Sequence, residues 1–281
     1  MARTRLFGAV AIAWLTAVPA FAADLRGAPA YKAAVAAPAP MWNWSGFYIG
    51  GHVGYGAGDA RVSLVPGPGW TIFGSPAIAQ WLVDNGTPKL DSSGALGGVQ
   101  AGFNVQSANW VWGIESDFSF SGIKGSRNTG ILLATPPGLA PRSFTESDEL
   151  KWLATFRGRF GYAYQQVLIY VTGGAAIGRR EFSQFILSEP AFNFNNIRNS
   201  VSSTKVGWTA GAGFEYAIAR NWSFKAEYLY VDLGRIGSVT DVDTSPGVGL
   251  TVDSSSRLTL HTARVGLNYK FDWGGPVVAK Y

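Results

Sequence analysis

Cysteine is absent from this 281-residue sequence, histidine occurs only twice, and charged residues are scarce. Without cysteine, neither a disulfide framework nor a cysteine-ligated metal site is possible. Charged residues make up 15% of the chain, against roughly a quarter in a soluble domain. The net charge of +5 comes without a basic run of five residues, so we expect no nucleic-acid partner. Glycine (36 residues) and aromatic side chains (14%) are abundant instead, which is typical of an all-β protein with many turns.

Long hydrophobic runs are also missing, apart from a short one near the N-terminus. Arg3 and Arg5 precede an apolar run over residues 6–18, which is followed by Pro19-Ala20-Phe21-Ala22-Ala23. A basic start, a short apolar core and an Ala-x-Ala site predict a secretory signal peptide over residues 1–22. The run is shorter than the ~20 residues that a transmembrane helix needs. A mature chain that enters a membrane must therefore do so as strands.

After an Ala/Pro-rich periplasmic linker (23–44), eight segments show the two-residue apolar/polar period of β-strands. They span 45–57, 94–106, 109–121, 149–161, 166–178, 204–218, 221–233 and 258–271. Short connections (107–108, 162–165, 219–220) alternate with long ones (58–93, 122–148, 179–203, 234–257). This rhythm is typical of outer-membrane barrels. It predicts an all-β, eight-stranded antiparallel up-and-down transmembrane barrel over 45–271, with short periplasmic turns and long extracellular loops.

One parity of each strand is aromatic near the strand ends and aliphatic or small in between, as at Val53, Val99 and Val265. Two aromatic girdles around an apolar band match the depth profile of a bilayer, so we expect this row to face lipid. The predicted girdle residues are Phe47, Phe103, Trp110, Trp112, Phe118, Phe120, Trp152, Phe160, Tyr162, Trp208, Phe214, Tyr216, Trp222, Phe224, Tyr228, Tyr230, Tyr269 and Phe271.

The opposite parity is polar and is predicted to face the barrel interior. Charges enclosed there must pair, because an isolated ion away from water costs several kcal/mol. Glycines of this parity, such as Gly102 and Gly213, leave room for long side chains. The predicted charge network, with a basic surplus, consists of Glu115, Asp117, Lys151, Arg157, Arg159, Lys205, Glu215, Lys225, Glu227, Arg264 and Lys270.

His52 and His261 are the only histidines, and they fall on opposite parities. They therefore cannot share a metal site. Neither lies in a local Ser-His-acid arrangement, which nucleophilic catalysis would need. We predict no catalytic, cofactor-binding or metal site and no enzyme activity, with a lipid-modifying outer-membrane enzyme as the remote alternative.

Four segments carry a family likeness: WNWSGFYIGGHVGYGAG (42–58), YVTGGAAIG (170–178), AEYLYVDLG (226–234) and HTARVGLNYKF (261–271). They resemble the opening, internal and closing strands of small alphaproteobacterial outer-membrane β-barrel proteins. This group is loosely called a porin family and is akin to opacity-protein and outer-membrane-protein-A-type barrels. The resemblance implies an integral protein of the outer membrane of a Gram-negative bacterium, exposed at the cell surface and without enzyme activity.

The closing strand is similar to the C-terminal signal that the outer-membrane assembly machinery reads in such proteins. Its alternating outward residues are Ala263, Val265, Leu267, Tyr269 and Phe271. The chain continues to Tyr281, and Pro276 argues against a further central strand there. We read 272–281 as a periplasmic tail, and either Phe271 or Tyr281 could serve as the terminal aromatic.

Two functions stay open from the sequence. Eight strands leave an interior that side chains can fill, which favours a structural and surface role with loops that interact with lipopolysaccharide, neighbouring cells or a host. Outer-membrane lipids are the expected partners of the barrel itself. The alternative is a narrow solute channel, anion-preferring because of the basic surplus. A channel would need a gap in the charge network or more strands. Residues 70–84, in the first long loop, could supply a hairpin above the membrane or two more membrane strands.

Overall fold

The computed structural model describes residues 42–69, 76–132, 142–188, 197–241 and 251–271. The predicted signal peptide (1–22), the linker up to residue 41 and the predicted tail (272–281) lie outside the described residues. Within the described part, no helix is both long and apolar enough to cross a membrane.

Eight antiparallel strands form a closed barrel in which each strand pairs with its neighbours in the chain and the last pairs with the first. The strands are β1 (Gly46–Pro66), β2 (Lys89–Ser107), β3 (Trp110–Asn128), β4 (Arg142–Tyr164), β5 (Val167–Ser188), β6 (Ile197–Ala219), β7 (Trp222–Asp241) and β8 (Thr251–Lys270). One helix, α1 (Pro76–Gly86), lies between β1 and β2. The predicted fold class is confirmed.

Every strand is longer than predicted and extends toward the long connections. The strands contain 19 to 23 residues, whereas about ten are enough to cross a bilayer. Much of the sequence that was predicted to form long loops therefore belongs to the strands. We call these outer parts of the strands the extracellular extension. Residues 70–84 were predicted to add a hairpin or two membrane strands. Of these, residues 76–84 are described, and they belong to α1, so the prediction is wrong there.

Irregularities in the pairing occur near the predicted outer girdle. The register shifts between Phe120 and Ile123 on β3 and between Leu150 and Trp152 on β4. A third shift lies between Asp232 and Arg235 on β7, where Gly234 has a φ of +66°. An extra residue in one strand re-aims the side chains that follow it. On β4 the inward row therefore changes from odd positions below the shift to even positions above it.

The barrel interior is filled in layers that alternate in polarity. A periplasmic cluster (Trp44, Val111, Ala163, Leu168, Tyr170, Ala217) lies at the short-turn end. A middle apolar layer lies further toward the extracellular end. It consists of Ala60, Val62, Leu90, Leu96, Ile123, Leu150, Leu153, Ala176, Phe182, Leu229, Val231, Leu233, Ile236, Leu258 and Leu260. A cap cluster (Leu64, Trp81, Leu82, Phe144, Ile186, Val252) joins the strand extensions to α1.

Candidate functional site

Arg157 lies at the centre of the charged interior, with a side chain that is fully buried. Its guanidinium is 2.5 Å from a Glu115 oxygen and 2.8 Å from an Asp117 oxygen, both on β3. A third carboxylate, that of Glu227 on β7, is 3.0 Å away. Strand alternation puts all four side chains on the inward face. Arg157 therefore links β4 to strands on both sides of the interior.

Arg159 forms a second centre two residues further along β4. Its guanidinium is 2.5 Å from Glu215 on β6 and 3.3 Å from Glu115. It also donates a hydrogen bond of 2.5 Å to the hydroxyl of Tyr48 and lies 4.0 Å from the ring centroid of Tyr170. The guanidinium is thus held by two carboxylates and two buried tyrosines, a geometry that combines ion pairing with cation–π contact.

The two tyrosines explain why glycines occupy two inward positions. A Cβ atom at Gly102 would collide with the hydroxyl of Tyr48, and one at Gly213 with the hydroxyl of Tyr170. Each hydroxyl donates to a carboxylate of the network: Tyr48 to Glu115 at 2.7 Å, and Tyr170 at 2.9 Å to Glu227. Sequence analysis placed charged side chains in this space and missed both tyrosines.

Two further cations complete this cluster, which we call the ionic layer. Lys225 lies 2.6 Å from Glu115 and 3.2 Å from Glu227. Arg264 lies 3.0 Å from Asp117 and 2.5 Å from Glu227. The ionic layer consists of Arg157, Arg159, Lys225, Arg264, Glu115, Asp117, Glu215 and Glu227. Four cations face four carboxylates, so this layer itself carries no basic surplus. Lys205 and Lys270, two more cations of the predicted network, lie on the inward row outside this layer.

Three lysines predicted in the network lie elsewhere, and for Lys151 the prediction was wrong. Lys151 is the extra residue at the β4 irregularity; it is part-exposed and pairs with Glu149 (2.8 Å) and Glu181 (3.3 Å). Lys205 is half-buried on the inward row of β6, above the ionic layer, and makes no ion pair among the described residues.

Lys270 lies at the periplasmic mouth of the barrel. It donates a hydrogen bond to the carbonyl of Asn43 and lies 4.8 Å from the ring centroid of Trp42. The backbone N–H of Trp44 donates to the side-chain oxygen of Gln106 at 2.8 Å, and the Trp44 side chain is buried. The last residues of the predicted linker are therefore packed into the mouth of the barrel.

The predicted girdle residues lie on the outward face of the strands. Trp110 stacks on Phe160 with centroids 5.1 Å apart near the periplasmic end, and Phe118 contacts Trp152 at 5.7 Å near the other end. The outward residues of the closing strand are exposed or part-exposed, and Phe271 stacks on Phe47 of β1. The aromatic and aliphatic rows thus face outward, while the ionic layer is enclosed.

The two histidines lie on different faces of the barrel wall, so they share no site in the part of the chain that the structure describes. His52 is buried, and its Nε2 is 2.8 Å from the Ser119 hydroxyl. Sequence analysis missed this pair because its members are 67 residues apart. The His52 Nδ1 has no hydrogen-bond partner in the described structure, so the third group of a triad is missing. His261 faces outward and contacts the Tyr228 hydroxyl at 2.5 Å. No cluster of potential metal ligands occurs among the described residues.

A second polar cluster lies in the extracellular extension, among the apolar layers. Arg180 pairs with Asp148 at 2.5 Å, and the hydroxyl of Ser256 donates to Asp148 at 2.7 Å. Glu146 accepts a hydrogen bond of 2.8 Å from Gln184. Burial raises the pKa of Glu146 to about 7, although the Gln184 hydrogen bond and the positive charge of Arg127 act in the opposite direction. Sequence analysis missed this cluster because these segments read as loops.

A closed eight-stranded barrel with an apolar, aromatic-girdled outer face and an ion-paired interior is an outer-membrane β-barrel. Residues 27–271 match the family described as "Outer membrane protein beta-barrel domain", and the chain belongs to this family. The predicted family resemblance and the outer-membrane location are confirmed.

Named relatives agree with this assignment. The chain is 38% identical over 266 residues to a "31 kDa outer-membrane immunogenic protein" of Brucella melitensis, covering 92% of this chain and 97% of the relative. It is 30% identical over 253 residues to a "25 kDa outer-membrane immunogenic protein" of Brucella abortus, covering 90% and 91%. The crystal structure of the outer membrane protein OprG from Pseudomonas aeruginosa is similar over 81% of this chain and 96% of that chain, with 12% identity and a TM-score of 0.44.

Proposed function

We propose that this protein is a non-conducting, non-enzymatic barrel that displays its extracellular extension and loops at the cell surface. The observation that carries this proposal is the middle apolar layer, none of whose side chains is more than 6% exposed. An eight-stranded barrel is narrow enough for side chains to fill. Closely packed apolar side chains across such a barrel oppose the passage of hydrated ions.

The layers on either side of it support the same function. The ionic layer has equal numbers of cations and carboxylates in contact, which leaves no basic surplus to attract anions. At the extracellular end, Trp81 and Leu82 of α1 are buried in the cap cluster. A channel would have to open the ionic layer and both apolar layers.

Two observations support a surface role without catalysis. The two Brucella relatives are called outer-membrane immunogenic proteins, as expected for proteins exposed to a host. Within the described ranges, the His52–Ser119 pair is the arrangement closest to catalytic chemistry, but both residues are buried and no described acid contacts the histidine Nδ1. A substrate would have no access to this pair.

Planar-bilayer recording of the purified full chain tests the closed interior. We expect no stable conductance; reproducible nanosiemens-scale steps would favour the competing function, a narrow solute channel. In that case the double variant Arg157→Ser/Arg159→Ser should change ion selectivity, because both guanidinium groups lie in the interior. Lys151→Ser is the matched control, since Lys151 lies outside, and it should leave selectivity unchanged.

Epitope insertion tests whether the long connections are exposed at the cell surface. An epitope placed in residues 133–141, between β3 and β4, should bind antibody on intact cells. The same epitope between Ala108 and Asn109, in the short turn between β2 and β3, should bind only after the outer membrane is permeabilised. Labelling of the short-turn epitope on intact cells would reverse the proposed orientation.

A further inference from the structure

A row of four cations crosses the outside of four adjacent strands just above the outer girdle. Arg61 on β1 is directly opposite Lys89 on β2 and Arg257 on β8. Arg257 is in turn directly opposite Arg235 on β7. All four side chains are exposed. With neighbouring strands about 4.8 Å apart, this basic row (Lys89, Arg61, Arg257, Arg235) spans roughly 15 Å.

The register fixes the height of the basic row relative to the membrane. His261 is opposite Tyr230 and also opposite Ala57, so these positions mark the outer girdle on β7, β8 and β1. Arg257 and Arg61 lie four residues further out on their strands. At about 3.3 Å per residue and a tilt near 40°, this places the row roughly 10 Å above the girdle. Lipid headgroups occupy that depth.

Nearby carboxylates neutralise only part of the row. Asp59 pairs with Lys89 at 2.9 Å, and Asp232 pairs with Arg257 at 2.6 Å. Asp91 lies opposite Asp59, and Asp253 lies four residues beyond Arg257. Arg61 and Arg235 make no ion pair with any described residue.

On the other side of the barrel, the charged side chains at a similar height are arranged differently from those of the basic row. On β3, β4 and β5, Lys124 is opposite Glu149, and Lys151 contacts both Glu149 and Glu181. There Glu149 and Glu181 are also directly opposite each other, but Lys151 contacts both and neutralises them. In the basic row, no described counter-charge bridges Arg61 to the cations on either side of it. Such an arrangement is destabilising unless an anion lies between the cations.

We propose that the basic row binds the phosphate groups of a phosphorylated glycolipid in the outer leaflet. Arg61 and Arg235 supply guanidinium groups without an ion pair in the described structure, and such groups suit bidentate contact with phosphate. The row is wide enough for a headgroup with two phosphates to contact both arginines. The site lies on the outer surface, so a conductance result that overturns the closed interior leaves it unaffected.

Lipid binding to the full chain in detergent micelles, measured by native mass spectrometry, tests the site. The probes are bisphosphorylated lipid A and the same lipid after phosphatase treatment. We expect the wild type to bind the phosphorylated form about tenfold or more tightly, since two charge-assisted contacts favour it. Arg61→Gln/Arg235→Gln should lose this preference. The matched control Lys124→Gln/Arg179→Gln removes two outward cations from the other side and should keep it within about twofold.

Three outcomes would overturn the proposal. Equal binding of both lipid forms by the wild type would show that phosphate is not recognised. An equal loss in the two double variants would show that only net charge matters. Complete competition by inorganic phosphate would indicate a small-anion site instead of a lipid site. A heat-modifiability gel checks folding, and the single variants Arg61→Gln and Arg235→Gln, each expected to lose about threefold, replace a double variant that does not fold.

Discussion

Between the two girdles the barrel interior is ionic, and from the outer girdle outward it is mainly apolar, while the outer face shows the reverse. In the ionic layer, Arg157 is enclosed while Ile114 and Phe156 face outward. In the extension, Val62 is enclosed while Arg61 and Lys89 face outward. The outer face must be apolar where it meets lipid and can be charged where it meets water. The membrane-spanning part therefore encloses its charged side chains, and the extracellular extension encloses its apolar ones.

The change of polarity coincides with the irregularities in strand pairing near the outer girdle, whereas a further one, between Ala217 and Ala219, lies at the periplasmic end. The shifts on β3 and β4 lie beside Phe120 and Trp152, which belong to the outer girdle. On β4 the shift exchanges the inward and outward rows, so Leu150 faces inward where simple alternation would have placed Lys151. The irregularity therefore matches the chain to two different environments within one strand.

The largest effect is expected from removing a cation of the ionic layer. Arg157→Leu leaves Glu115, Asp117 and Glu227 short of a buried partner and should lower the free energy of unfolding by roughly 3–5 kcal/mol. Urea unfolding in lipid vesicles measures this loss. Arg179→Leu, an exposed site on β5, is the control and should change stability by less than about 0.5 kcal/mol.

A cavity in the middle apolar layer should have the next largest effect. Leu229 is fully buried, and Leu229→Ala should cost about 3 kcal/mol, within the usual range for buried leucines. Leu267→Ala, on the lipid-facing side of β8, should cost less because no cavity forms. The same unfolding assay compares them, and equal losses would contradict the enclosed apolar layer.

Glu146 should make the extracellular extension less stable as the pH rises. Its pKa is raised from 4.5 to about 7 in the folded protein, so between these pH values the unfolded chain loses a proton that the folded state keeps. Stability should be greatest below about pH 4.5 and fall by at most roughly 3 kcal/mol up to about pH 7. Hydrogen exchange in the outer parts of β4 and β5 measures this change. Glu146→Gln should remove the slope; an unchanged slope would assign it to another group.

The smallest effect is expected at Lys151, and it tests on which side of the barrel this residue lies. Its ion pairs with Glu149 and Glu181 are part-exposed, so Lys151→Leu should change the free energy of unfolding far less than Arg157→Leu does. A loss comparable to that of Arg157→Leu would place the lysine among the enclosed charges instead.

Strand alternation was sufficient to predict the barrel and its orientation at bilayer depth. In residues 110–120 it assigned Trp110 and Trp112 to the outside and Glu115 and Asp117 to the inside, as the structure has them. The same rule failed at Lys151 because an irregularity of one residue leaves no mark in the composition of the strand. Lys205 and Lys270 are on the inward row, but parity alone gives no height along the barrel axis.

The extracellular extension was missed for a different reason. Its strands carry Gly, Ser and Asp on the outside, and this composition resembles that of loops. The signal that could have identified them is the continued alternation, for example Ala60, Val62 and Leu64 on the inward row of β1. The buried tyrosines could also have been identified from the sequence, since Tyr48 and Tyr170 occupy inward positions that face glycines.

Thiol accessibility measures most directly whether the interior is closed. The chain has no cysteine, so Ser119→Cys, buried between the ionic and middle apolar layers, and Ser126→Cys, exposed on the same strand, each carry a single thiol. In the folded barrel a charged, membrane-impermeant reagent should modify the thiol at 126 rapidly and the thiol at 119 only after heat denaturation. Comparable rates at both positions in protein that still shows the folded gel mobility would contradict a closed interior.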